Sequence, residues 1–198
     1  MLSKINAHFF PELDRPVLQE FIYLNGEITT ENCGEVISTI LKINQPTVDV
    51  DDEGIWIEQP KVDVINLLIT SPGGDMAGAF SLVNIIKGSK IPIRTIALGE
   101  AVSAGFCLLI SGHQRVVTPY TSLMSHVFST GVEGSYHQLK NAMDEVHRYN
   151  EKMIQFYVDS TGLDYRLIKR KFLGKDDLYI SHQDAIKYNM VDVISGLE

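Results

Sequence analysis

Residues 62–105 read VDVINLLITSPGGDMAGAFSLVNIIKGSKIPIRTIALGEAVSAG. Val62 to Thr70 is a near-continuous apolar run, the pattern of a strand covered on both faces of its sheet. Ser71-Pro72-Gly73-Gly74 breaks that run. Asp75 then opens a helix carrying Phe80, Leu82, Val83, Ile85 and Ile86, and Gly88 ends it. Ile93 to Leu98 reads as a second buried strand. After Gly99 a turn of small residues leads into a helix predicted over Ala104 to Ser111. Strand, helix, strand and helix follow one another through short links. That alternation predicts an α/β fold with a mostly parallel sheet.

The chain on either side continues the pattern. Upstream, Phe21 to Leu24 is a buried strand stopped by Asn25-Gly26. It is followed by a helix over about Glu31 to Ile43, for which Thr29 or Thr30 is placed to cap. Downstream, short strands are predicted at Arg115–Val117 and Leu123–Ser125. A single long helix then runs from about Ser135 to Ser160, within the segment 134–162. Leu139, Ala142, Val146, Tyr149, Met153 and Phe156 form a heptad seam along it, widened by Met143 and Tyr157. At 1.5 Å per residue such a helix spans roughly 39 Å, more than a small domain needs for its own packing. The near half can pack on its own sheet, whereas the far half is predicted to meet a second subunit.

Residues 46–61, PTVDVDDEGIWIEQPK, alternate apolar and polar positions around an Asp-Glu-Gly turn and predict an inserted β-hairpin. Asp49, Asp51, Glu53 and Gly54 imitate the start of a calcium loop. Its twelfth position falls on Pro60, where a bidentate Glu is required, so calcium is rejected. Residues 1–20 form an N-terminal segment, and the whole span 1–198 reads as one domain.

Composition removes several classes of function. The net charge is −8, and the Lys and Arg residues are scattered rather than striped, which argues against a nucleic-acid partner. No apolar run approaches the roughly 18 residues of a membrane span, and the N-terminus lacks a signal-type stretch. A cytoplasmic protein is therefore expected, with no membrane association. Cys33 and Cys107 form no Cys-x-x-Cys pair and read as buried thiols. The six histidines show no ligand spacing, so neither a metal nor another cofactor is expected.

Three short segments carry chemistry. Ser103 lies at a strand-to-helix turn among small residues, where free N–H groups and the helix dipole favour developing negative charge. Ala101 stands two residues before it, so this is not a Gly-x-Ser-x-Gly elbow. Ser71-Pro72-Gly73-Gly74-Asp75 is a second such turn, whose paired glycines free the backbone to aim an N–H inward. His126 follows the strand Leu123-Met124-Ser125 and is the candidate base. Taken singly, these are a tight turn, a helix start and a structural histidine.

In this order and spacing, Ser-Pro-Gly-Gly, Gly-x-Ala-x-Ser-x-Gly and Met-x-His before a long helix resemble the proteolytic subunit of the Clp protease (ClpP family). Thr161-Gly162, Asp184-Ala185 and Met190-Val191-Asp192 extend the resemblance from about Phe21 to Val193. It implies a crotonase-like α/β spiral with a protruding handle helix and a serine endopeptidase activity. Ser103 would be the nucleophile, His126 the base, and the N–H groups of Gly74 and Ala104 the oxyanion hole. Val127 to Gly134, beginning with Val127, Phe128 and Ser129, would pair with extended polypeptide substrate. Self-association into heptameric rings and a tetradecamer, fed by a hexameric AAA+ unfoldase, is implied as well.

The third member of the triad is not matched directly. Counted from Thr161-Gly162 the family's aspartate falls on Lys171, and counted back from Asp184-Ala185 it falls on Leu173. Asp176 or Asp177 can reach His126 from the lengthened loop between these anchors. Asp177, just before Leu178-Tyr179-Ile180, would be held more firmly. Three other readings compete: a weakly active subunit with a structural role, a crotonase-type acyl-CoA enzyme, and a prohead or signal-peptide peptidase.

Overall fold

The computed structural model describes residues 16–50, 55–129, 131 and 133–195, with side chains omitted at 49, 50 and 56–59. The expectations for residues 1–15 and for the tip of the hairpin lie outside the described residues. The main sheet is built from β1 (Gln19–Asn25), β4 (Val64–Ser71), β5 (Ile93–Val102), β6 (Gln114–Val117) and β9 (Val193–Ile194), in that order and parallel throughout. β7 (Ser122–Ser125) joins parallel to β5, and β8 (Leu178–Tyr179) joins β7 antiparallel. The α/β spiral with a mostly parallel sheet is therefore present.

Between strands run α1 (Thr30–Ile43), α2 (Met76–Gly88), α3 (Ala104–Ile110), the long α4 (Tyr136–Thr161), a short α5 (Tyr165–Leu167) and α6 (His182–Lys187). Thr29, not Thr30, caps α1. Its hydroxyl accepts the Asn32 N–H at 3.1 Å while Asn32 Oδ1 accepts the Thr29 N–H at 2.9 Å. The Thr30 hydroxyl instead donates to Asp75 Oδ2 at 2.7 Å. Asp75 caps α2 by accepting from Ala77 N and Gly78 N, both at 3.0 Å. The Thr30 bond, and after it these backbone bonds, hold the Asp75 carboxyl below its usual range against the opposing effect of burial.

β5 changes partners along its length and thereby creates the site. Arg94 to Ala97 pair with β6, while Glu100 to Val102 pair with β7. The β4–β5 ladder also shifts register between Ile69 and Ser71. Two strand ends, Ser71 and Val102, thus arrive together beneath two strand-to-helix turns. The main core lies between this sheet and α1, α2 and α3, with Ile65, Leu67, Ile69, Leu82, Ile86 and Phe106 buried.

The C-terminal end is tied back through Arg115. Its guanidinium reaches both oxygens of Asp192, at 2.5 and 3.0 Å, and donates to the carbonyls of Ser160 and Asn189. α4 divides into two halves. Met153, Ile154 and Tyr157 are buried against the body, whereas Tyr136, Leu139 and Met143 of the first half are exposed. The 46–61 segment forms an antiparallel pair, β2 (Thr47–Val50) with β3 (Trp56–Gln59), separate from the main sheet. Among the described residues no helix is long and apolar enough to cross a membrane.

Candidate active site

Parallel pairing explains why a serine and a histidine 23 positions apart meet. β5 and β7 align Glu100 with Ser122, Ala101 with Leu123 and Val102 with Met124, an offset of 22 residues. The Ser103 N–H continues the ladder by donating to the Met124 carbonyl at 3.0 Å. Ser103 Oγ then lies 2.6 Å from His126 Nε2. Ser103 has φ 55° and ψ −118°, a conformation rare for a residue with a side chain. Such strain costs about 1–3 kcal/mol. It is held by α3, whose residues Phe106, Leu108, Leu109 and Ile110 are all buried. Each of these contributes about 1.5–3 kcal/mol, so together they outweigh the strain.

The Ser71-Pro72-Gly73-Gly74 turn presses on Ser103 from the β4 side. Gly73 has φ +103°, and a Cβ there would lie 2.7 Å from Ser103 Cβ and 3.3 Å from Ala104 N. Gly74 has φ +139°, and its Cβ would lie 2.3 Å from the Ile28 carbonyl. Neither position has room for a side chain. The turn is fixed to β1's exit by Ile28 N–H to Gly73 O at 2.7 Å and Asp75 N–H to Ile28 O at 2.8 Å. Among the described residues the N–H groups of Gly74 and Ala104 have no protein acceptor. Gly74 lines the same cleft as Ser103, whereas Ala104, the next residue after Ser103, is buried.

The acid reaches the histidine through a different ladder. β8 pairs antiparallel with β7, Met124 opposite Tyr179 and Ser125 opposite Leu178. One further step in that register sets Asp177 opposite His126, and Asp177 Oδ1 lies 3.2 Å from His126 Nδ1. The carboxylate side chain is 57% exposed and the imidazole 26%. Asp176 is exposed and takes no part. Lys171, one of the two positions found by counting, donates to the Tyr188 hydroxyl at 2.8 Å. Leu173, the other, is buried in the core. Ile168–Phe172 form a π-helical turn, and residues 173–177 lead from it into β8.

Behind His126 a buried hydrogen-bond chain joins three elements of the site. Ser125 Oγ donates to the Phe172 carbonyl at 2.8 Å and accepts from the Tyr157 hydroxyl at 2.8 Å. Strand β7, helix α4 and the π-turn are thereby fixed to one another. Sequence patterning missed this chain, because Ser125 reads there only as the end of a strand. The neighbouring thiol of Cys107 is pushed up to about 12 by burial, and that of Cys33 to about 11 by burial and the Asp75 charge. Both therefore stay protonated and unreactive at neutral pH.

The cleft holding Ser103 and His126 has a volume of about 260 Å³ and is walled by Pro72, Met76, Met124, Phe128 and Met153. Of the segment after the base, Phe128 and Ser129 line it, while Val127 is half-buried outside it. A larger open groove of about 780 Å³ lies between α2 and α4, lined by Phe80, Tyr149 and Phe156. No histidine lines it, and neither Ser103 nor His126 borders it.

The arrangement offers a hydroxyl bonded to an imidazole, a carboxylate on the far side of that imidazole, and free amides next to the hydroxyl. These are the parts needed for acyl transfer to and from a serine. A family model described as Clp protease matches residues 13–197. The long handle helix, the parallel sheet and this match over nearly the whole length agree, and the chain belongs to the Clp protease family, a family of peptidases.

Proposed function

We propose that this chain is a serine endopeptidase subunit that hydrolyses peptide bonds in unfolded polypeptides, with Ser103 as nucleophile, His126 as base and Asp177 as its orienting acid. The observation that carries this reading is the 2.6 Å contact between Ser103 Oγ and His126 Nε2 at a strained strand-to-helix turn. With Nδ1–H donated to Asp177, Nε2 is left unprotonated and takes the hydroxyl proton as Oγ attacks the substrate carbonyl. The resulting oxyanion is received by the N–H groups of Gly74 and Ala104. His126 returns the proton to the leaving amine as the C–N bond breaks. Water then repeats the sequence on the acyl-serine, releasing the carboxylate product.

Pro72, Met76, Met124 and Met153 give the cleft apolar walls, which favour an apolar side chain at the residue whose carbonyl is attacked. Val127 to Ser129 offer backbone for an extended substrate. Exposed Tyr136, Leu139 and Met143 on the free half of α4 supply an apolar face for a second ring. Membership of the family brings heptameric rings, a tetradecamer and an AAA+ unfoldase into the proposal.

The test is turnover of a quenched fluorescent decapeptide by the assembled protein. Activity is expected from the natural chain and loss of at least about 10³-fold from Ser103→Ala. Equal turnover by both proteins would overturn the reading.

A further inference from the structure

The segment after His126 belongs to no strand among the described residues, yet it borders the cleft. One helix residue grips its backbone. The Phe128 N–H donates to Asn150 Oδ1 at 2.8 Å, and Asn150 Nδ2 donates back to the Phe128 carbonyl at a longer 3.4 Å. The preceding helix residue, Tyr149, stacks on the Phe128 ring with centroids 4.8 Å apart and planes 22° from parallel. Two adjacent positions of α4 therefore hold Phe128, one by its backbone and one by its ring.

We propose that Asn150 is a positioning residue for substrate: by occupying the backbone N–H and C=O of Phe128, it sets which backbone groups of residues 127–129 remain to pair with a peptide. One side chain can engage both the N–H and the C=O of a single residue only if they point the same way, as they do in extended backbone. In extended backbone the neighbouring residues point theirs to the opposite edge. Val127 and Ser129 accordingly face away from α4, and among the described residues their backbone groups have no protein partner. Asn150 takes the place of a neighbouring strand. A bound peptide then pairs at Val127 and Ser129 and skips Phe128, whose ring forms part of the cleft wall. This places the register of the substrate under the control of the handle helix. The inference rests on the peptidase reading above.

The consequence is specific to long substrates. A small fluorophosphonate needs only Ser103, His126 and the oxyanion donors, whereas a decapeptide also needs the ordered segment. In the assembled full-length protein, Asn150→Leu is expected to raise the decapeptide KM about 5- to 10-fold. Both kcat and the rate of Ser103 labelling by the fluorophosphonate should stay within about twofold. Asn150→Asp keeps the oxygen that accepts the Phe128 N–H and should restore KM to within about twofold of the natural value. Asn150→Ala makes the same comparison without added bulk if the leucine variant fails to assemble by sedimentation velocity. An unchanged KM in Asn150→Leu or Asn150→Ala would overturn the proposal. So would a labelling rate that falls in step with kcat/KM, since the defect would then lie in the triad. A natural chain that takes no label at all would instead remove the peptidase reading beneath it.

Discussion

Ser103 leaves a ten-residue strand for a helix whose seven residues are all buried, whereas Asp177 enters a two-residue strand at the sheet's edge with 57% of its side chain exposed. Both reach His126 by continuing a ladder of backbone pairs, and the ladders differ in strength. The β5–β7 pairing is parallel and internal, and β5 is also flanked by β4 and β6. The β7–β8 pairing has two residue pairs, and among the described residues β8 pairs with no other strand. Hydrogen-bonded elements at edges open more readily than those in the core. The Ser103–His126 geometry, the proposed nucleophile and base, therefore shares the stability of the whole fold, while the proposed acid depends on a local element that can open separately.

The internal half can be broken at Gly74. A Cβ there would stand 2.3 Å from the Ile28 carbonyl, so Gly74→Ala must displace the turn that carries the proposed oxyanion donor. A fall in kcat of about 10²–10³ is expected, the usual loss when one such donor is misplaced. A lower melting temperature should accompany it, because the Ile28–Gly74 bridge is strained as well. Steady-state kinetics with thermal melting checks both, and retention of activity within about threefold would count against the assigned donor.

The edge half should yield less. Water can reach His126 Nδ1 beside an acid as exposed as Asp177, and can replace part of its hydrogen bond. Asp177→Asn is therefore expected to lower kcat by about 10–10², well short of the roughly 10⁴ lost when a buried triad acid is changed. A loss near 10⁴ in the assembled enzyme would show that the two halves are equally enclosed, and the contrast between them would fail.

How much of this was legible follows the same division. The long apolar runs of β4 and β5, the glycine turns and the 3.6-residue periodicity of the helices mark the parallel α/β layers, because burial on both faces leaves its record in residue type. The approach of Asp177 left no comparable record. Counting from the two anchors led to Lys171 and Leu173, and Asp177 was preferred only for its place just before Leu178-Tyr179-Ile180. A search for a short strand antiparallel to Leu123-Met124-Ser125 would have set Asp177 opposite His126. Asn150 was missed for another reason: on a long helix, a half-buried polar residue next to the seam looks like solvated surface until the chain that it grips is known.

The pairing of Ser103 with His126 is tested most directly by covalent capture. The assembled protein would be treated with a fluorophosphonate and the adduct located by intact and tandem mass spectrometry. The account predicts one adduct per chain, on Ser103, formed at least about 10³-fold more slowly in His126→Ala. An adduct on another residue, or labelling of Ser103 at an undiminished rate without His126, would contradict it.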